Sequence, residues 1–338
     1  MKRAVRLAVT AALLVILITV SLTACGRAER YYFYDIFGTF LEVDASGSGG
    51  KKFAEGLAED MREQEKLLSA AAEDSDIGRI NAAGVGVPVK CSELTMELIS
   101  VAHEIYLATD GAYDPSVYPL VELWGFAAGD FVAGGVYAPP SEEEIEAARA
   151  LVGFDRAFSV DYENSTVTKL IEGAALDLGG VAKGGAVGRA IAKGEGRKML
   201  VNLGGNIGAA GGSFTVGVGN PRPETDSRSY LGTFILSDGE TVTTSGDYER
   251  YFVFEGKRYH HIIDPATGRP ADSGLVSATV ITAKGGTGGA AADALATAMM
   301  IVGKERALEL AKEFGVGCVL VESDLSVTVA TGDREFKS

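Results

Sequence analysis

Thr243–Gly268, TTSGDYERYFVFEGKRYHHIIDPATG, carries the architecture and the chemistry of this chain side by side. Its middle, from Tyr251 to Ile263, reads as two strands turning at Glu255-Gly256. Two other segments repeat the pattern: 157–171 turns at Glu163-Asn164, and 316–331 turns near Ser323-Asp324. Neighbouring strands joined by short turns argue for antiparallel sheets. With no regular strand–helix–strand rhythm, the fold class is α+β, with mixed, mainly antiparallel sheets and packed helices. The same stretch holds two of the chain's three histidines, an Asp-Pro turn and a Ser-Gly-Asp loop. A structural hairpin has no need of that polar crowding. A site that handles phosphate and an aromatic group does.

Outward from this stretch, helices alternate with the strands. Phe53, Leu57, Met61 and Leu68 recur at helical spacing, so 51–68 reads as an amphipathic helix. Ser92 caps a second helix running to Ala108, with Leu94, Leu98, Val101 and Ile105 on its inner face. His103 falls between those apolar positions and is assigned to the surface. Ser141-Glu142-Glu143-Glu144 is a capping box that opens a third helix. The lone Trp124 follows a Tyr-Asp-Pro turn and is assigned to the core, as tryptophan strongly buries.

The N-terminus is an address and not part of the fold. Lys2, Arg3 and Arg6 precede an apolar run from Leu7 to Leu22, which ends at Leu22-Thr23-Ala24-Cys25. Small residues before a cysteine suit signal-peptide cleavage at 1–24 and lipid attachment to Cys25. An uncleaved membrane anchor is the alternative, since it needs roughly 20 apolar residues. Both readings place the rest, a linker at 25–30 and a globular unit over 31–338, outside the cytoplasmic membrane and tethered to it. Three of the 31 basic residues lie in the leader, leaving 28 against 46 acidic residues and a formal charge of −18. Such an acidic chain lacks the basic face of a nucleic-acid binder. An anionic substrate must then meet a local cation or a metal. Cys91 and Cys318 are left either to pair or to stay as buried thiols. Glycine fills 44 of 338 positions but clusters in particular loops, so it marks turns and not disorder. No linker divides the unit, which reads as two intimately associated halves.

Several segments carry chemistry. Leu176–Gly185 reads as a strand end, a glycine turn and a helix start, and its free N–H groups with Lys183 favour a phosphate. The spacing is neither that of a Walker loop nor that of a dinucleotide fingerprint. Asp177, just before the turn, weighs towards function. Gly204-Gly205-Asn206 closes the strand 199–203 in the same manner, as a plain turn or as part of a site. Asp293 and Thr297 stand four apart, on one face of a helix otherwise built of alanine and leucine. A solitary carboxylate there is costly unless paired or bound to a metal. Few hard oxygen ligands, completed by phosphate and water, describe Mg2+; an Asp–Thr hydrogen bond is the plainer alternative. In a strand His260 and His261 face opposite ways, so at most one meets the site, where a histidine near metal-bound phosphate is a candidate base.

Together these segments resemble the ApbE family, the FAD:protein FMN transferases. Asp74–Asn81, Gly111-Ala112-Tyr113-Asp114-Pro115-Ser116, Asp177–Gly184 and Asn202–Asn206 match that family's motifs in order. Thr244–Tyr248, His261-Ile262-Ile263-Asp264-Pro265 and Asp293–Thr297 complete the set, so the resemblance covers essentially all of the chain after the leader. It implies an ApbE-like, T-fold-like unit that binds FAD in a cleft with Mg2+ on its pyrophosphate. By that likeness Asp293, Thr297 and the Gly180 carbonyl hold the metal, while Phe37, Ala112, Tyr113, Asp114, Asp177, Lys183 and Ile263 hold FAD. His261 is the base and Asp293 also serves catalysis. The implied partner is a flavoprotein whose threonine, in a short Ala-Thr motif, accepts FMN as AMP leaves.

This chain departs from the family's pattern at Phe37, often methionine, and at Ala71, where many members place a tyrosine against the flavin. Gly185 and Gly188 replace an aromatic residue and an aspartate. One lost aromatic contact weakens flavin retention by about 0.5–1.5 kcal/mol. Two other readings use the same residues: a Mg2+-dependent FAD pyrophosphatase, and a lipid-anchored protein that captures flavin without chemistry.

Overall fold

The structure, a computed structural model, describes residues 29–127, 131, 135–194, 196–284, 288–332 and 334–338. The leader expected over 1–24 and the lipidation residue Cys25 lie outside them. Among the described residues no helix is long and apolar enough to cross a membrane.

Eight strands form one sheet: β1 (Glu29–Ile36), β2 (Thr39–Ala45), β6 (Met199–Leu203), β7 (Asn206–Ala210), β10 (Thr241–Gly246), β15 (Leu275–Thr282), β16 (Gly317–Glu322) and β17 (Val327–Ala330), neighbours in that order. Every pairing between them is antiparallel. A small sheet joins β3 (Pro88–Lys90), β5 (Thr166–Lys169) and β4 (Phe158–Asp161), and three hairpins stand apart: β8 (Phe214–Gly219) with β9 (Tyr230–Leu236), β11 (Tyr251–Phe254) with β12 (Lys257–His260), and β13 (Ile263–Asp264) with β14 (Arg269–Pro270). All three hairpins expected from the turns are present. At Glu255-Gly256 both residues have positive φ, 50° and 79°, which matches the twist a two-residue hairpin turn needs.

The helices are α1 (Gly50–Leu68), α2 (Asp76–Ala82), α3 (Glu93–Ala108), α4 (Tyr118–Leu123), α5 (Glu142–Arg149), α6 (Phe154–Ala157), α7 (Gly179–Lys193), α8 (Gly288–Val302) and α9 (Lys304–Glu313). Ser92 caps α3 by accepting from Thr95 N, and the capping box of α5 is formed at both bonds. The face of α3 differs from the expected one: Leu98, Ile99, Ala102 and Ile105 are fully buried, while Leu94 and Val101 are only half so. Packing on more than one side widens the buried arc beyond a single stripe. His103 is likewise only partly at the surface: it is half-buried, its ring 5.0 Å from that of Phe154 and its Nε2 2.7 Å from Asp155.

Helix α7 joins two adjoining cores. Its first turns place Val181 and Ala182 among α3, α8, α9 and the β15–β16 pair. Its later turns place Ala186, Val187, Ala190 and Ile191 among α1, β1, β2 and β6. On the opposite face of the sheet, Val216, Val218, Phe234 and Leu236 of the β8–β9 hairpin cover Val242, Ile281 and Val319. Strand β15 is therefore buried along all eight residues, which explains its LVSATVIT run. Cys91 and Cys318 are buried free thiols, each pushed up to about 11 by burial, so neither is a reactive nucleophile.

Candidate active site

Where α7 and α8 begin, the backbones come closer than side chains permit. A Cβ on Gly184 would sit 2.1 Å from the Gly289 carbonyl oxygen, and one on Gly289 equally close to that of Gly184. Only glycine at both positions allows this crossing. The crossing brings Asp293 to the Gly184 amide, which donates to Oδ2 at 2.8 Å. That amide is the donor which helix geometry assigns to the Gly180 carbonyl one turn earlier. Asn206 supplies a further side-chain hydrogen bond to Asp293, and its own Oδ1 accepts from Thr243 Oγ1 at 2.9 Å. Burial pushes the Asp293 carboxyl upward, with Lys183 opposing. A carboxylate so desolvated favours a cation.

Above this floor opens a cavity of about 900 Å³. Phe37, Ala112, Tyr113, Asp114, Asp177, Gly180, Lys183, His261, Ile263, Asp293 and Thr297 all line it. The structure thus brings together every site residue expected from the sequence except Cys25. Gly179 and Gly180 at the start of α7 line the cavity, where Asp177 accepts from Gly179 N at 2.8 Å and Lys183 reaches the Gly179 carbonyl at 3.3 Å, while the Val181 and Ala182 amides are bonded to the Leu178 carbonyl. Asp114 is partly committed to the fold: its Oδ1 accepts from both the amide and the hydroxyl of Ser116, at 2.8 and 2.6 Å. Thr297 Oγ1 lies 3.4 Å from the Asp293 carbonyl and 3.3 Å from Ser245 Oγ. An Asp–Thr hydrogen bond is thus present, but it runs from the Thr297 hydroxyl to the Asp293 main-chain carbonyl and leaves the carboxylate to Gly184 and Asn206.

The facing wall comes from the opening stretch of sequence. The two histidines divide as the strand alternation requires. His260 Nε2 donates to the Ala271 carbonyl at 2.9 Å and its Nδ1 accepts from Ile262 N at 3.3 Å, so it is structural. His261 faces the cavity, tied down by its own N–H to the Arg250 carbonyl at 3.0 Å and set edge-on to Phe126. Its Nδ1 is buried without a partner. Burial first, then the charges of Arg250, His260 and Lys183, lower His261 to about 3, so the imidazole is neutral at neutral pH. Trp124 is core, as expected: it stacks on Tyr259 and its Nε1 donates to the Gly268 carbonyl at 2.8 Å. Asp247 of the Ser-Gly-Asp loop does not line the cavity, because Arg222 binds both of its oxygens at 2.8 and 2.5 Å.

Glu249 and Arg250 also line the cavity, and residue patterning had not singled them out. Glu249 is packed round by protein yet open to solvent through the cavity. Burial pushes its carboxyl up to about 7, with Lys183 and Arg250 opposing and Asp293 adding to the rise. Their position in the charged run directly after Ser-Gly-Asp-Tyr was the available signal. Asn206 was visible only as part of a glycine turn.

The comparisons with known proteins decide the family. The ApbE family model matches residues 37–320. The chain belongs to the ApbE family. Among curated ApbE-like relatives, FAD:protein FMN transferase of Vibrio cholerae is 34% identical over 292 residues, covering 83% of this chain and 80% of its own. The protein of that name from Escherichia coli is 31% identical, covering 89% and 86%. Among solved structures, the ApbE protein of Thermotoga maritima aligns with a TM-score of 0.77 at 32% identity, covering 89% of this chain and 97% of its own. The flavinyl transferase ApbE of Pseudomonas stutzeri aligns with a TM-score of 0.75 at 29% identity, covering 90% and 95%.

The donor set of this ApbE chain fits Mg2+. Among the described residues no three His, Cys, Asp or Glu side chains cluster as a closed metal cage. One buried carboxylate and one hydroxyl at the edge of a roomy cavity match an ion that completes its shell with water and phosphate oxygens.

Proposed function

We propose that this protein is an FAD:protein FMN transferase that moves the FMN moiety of FAD to a threonine hydroxyl of an acceptor protein and releases AMP. The observation that carries the reading is the meeting of Asp293, Thr297, Lys183 and the start of α7 in one cavity roomy enough for a dinucleotide, within an ApbE chain. Asp293, Thr297 and the Gly180 carbonyl would hold Mg2+. When bound, Mg2+ supplies charge neutralisation at the pyrophosphate and favours in-line displacement there.

The chain's own residues do the rest. Lys183, with the Gly180 amide at the start of α7, holds the pyrophosphate. Phe37, Ala112, Tyr113, Asp114, Asp177 and Ile263 complete the FAD site. The acceptor hydroxyl attacks the phosphorus on the FMN side, and the bond to the AMP oxygen breaks. His261 takes the hydroxyl proton. In the empty site the imidazole is a weak base, because Arg250 and Lys183 add their charges to desolvation. An anionic pyrophosphate beside those cations offsets them and raises the basicity of His261 as substrate arrives. We place the protein outside the cytoplasmic membrane, lipid-anchored through Cys25, with an acceptor flavoprotein carrying an Ala-Thr motif.

The test incubates the protein with FAD, Mg2+ and an acceptor domain bearing that motif, and follows acceptor mass and AMP together. A Mg2+-dependent gain of one FMN is expected. AMP without acceptor labelling would replace transfer by hydrolysis, and bound, unchanged FAD would leave only a flavin-binding protein.

A further inference from the structure

Tyr113 carries a polar atom that no other group among the described residues satisfies. The residue is 5% exposed, and its hydroxyl is buried without a hydrogen-bond partner. It sits on the cavity floor under the start of α7: a Cβ built on Gly180 would lie 2.8 Å from the ring Cε2 and 3.2 Å from Oη. A tyrosine hydroxyl carries its proton at neutral pH and is a hydrogen-bond donor, yet none of the carboxylates of Asp114, Asp177 and Asp293 that also line the cavity accepts from it. A buried donor without a partner costs about 1–3 kcal/mol and calls for an explanation. Apolar packing does not provide one, because a phenylalanine would fill the same space without the penalty.

We infer that the Tyr113 hydroxyl is a substrate-binding group, held ready to donate a hydrogen bond to a pyrophosphate oxygen lodged beside Gly180. The site expected of this turn from its neighbours is thereby given one atom and one bond. The bond forms only when the cavity is filled, so the phenol destabilises the empty protein and stabilises the loaded one. This assignment rests on the FAD reading of the cavity.

The experiment compares the full chain with its Tyr113→Phe variant, which keeps the ring. Two quantities are read: FAD affinity by fluorescence, in EDTA and in Mg2+, and the melting temperature without ligand. The expected result is a rise in the FAD Kd of about 10-fold or more under both conditions, the scale of a hydrogen bond to a charged group. The ligand-free melting temperature should be unchanged or higher. Equal affinities would overturn the inference. So would a lower melting temperature of the ligand-free variant, because it would show that the hydroxyl is already satisfied within the fold. A loss confined to Mg2+ would reassign the bond from pyrophosphate to a metal-held water. If the unaltered protein bound no FAD, the flavin reading itself would fall; unaltered binding with an unaffected variant would remove only the role of Tyr113.

Discussion

The floor and the wall of the cavity are built on opposite plans. On the floor, two helices of small residues meet at Gly184 and Gly289, and Asp293 is pinned by an amide and a side chain. On the wall, the segment from Thr244 to Ile263 carries Glu249 shifted up, His261 shifted down and a buried Nδ1 with no partner. The floor positions atoms by steric necessity; the wall keeps titratable groups out of balance until something charged arrives. The floor fixes its shifted carboxyl, Asp293, in place by close packing, while the shifted groups of the wall, Glu249 and His261, are held far less firmly by hydrogen bonds.

The largest test of that division is Asp293→Ala. Mg2+-dependent turnover should fall by about 10³-fold or more, while the melting transition stays cooperative. Full activity in this variant would remove the floor from the mechanism. On the wall, His261→Ala should slow FMN transfer by roughly 10²–10⁴-fold, the usual worth of a general base, with FAD affinity little changed. Equal losses in rate and affinity would make His261 a binding residue and blur the comparison.

Gly184→Ala probes the floor through stability. The added methyl meets the Gly289 backbone, so the variant should unfold about 1–3 kcal/mol more easily and bind Mg2+ poorly. A denaturant melt with no change would mean that the helices move apart at little cost.

The smallest effects are in the pH dependence of stability, and the two wall groups act in opposite senses. His261 is lowered to about 3 from 6.5, so between these values the unfolded chain binds the extra proton and stability rises with pH. Glu249 is raised to about 7 from 4.5, so between these values the folded protein holds the extra proton and stability falls as pH rises. Glu249→Gln should therefore lessen the decline between about pH 4.5 and 7, and His261→Gln the climb between about pH 3 and 6.5. Melting curves across pH check both. A pH profile moved the same way by both variants would contradict the opposed shifts.

Much of this was legible along the chain, and the parts that were not share a cause. The Glu255-Gly256 turn, the Ser92 cap and the Ser141 capping box are energies settled within a few residues, so local sequence reports them. The buried arc of α3 and the half-burial of His103 were misread because they depend on what packs from the other side. Glu249 and Arg250 escaped notice because charged residues just before a hairpin ordinarily face bulk solvent, and only the fold turns these two to the cavity.

The sequence by itself determined an antiparallel α+β chain, its turns and caps, and a set of residues suited to phosphate, metal and flavin. Which histidine faces the cavity, which of its hydroxyls lacks a partner, and how close two glycines bring two helices were decided by the tertiary structure. The Gly184–Asp293 bond spans 109 residues of sequence. Desolvation and steric contact belong to groups that are near in space, and only folding makes those residues neighbours.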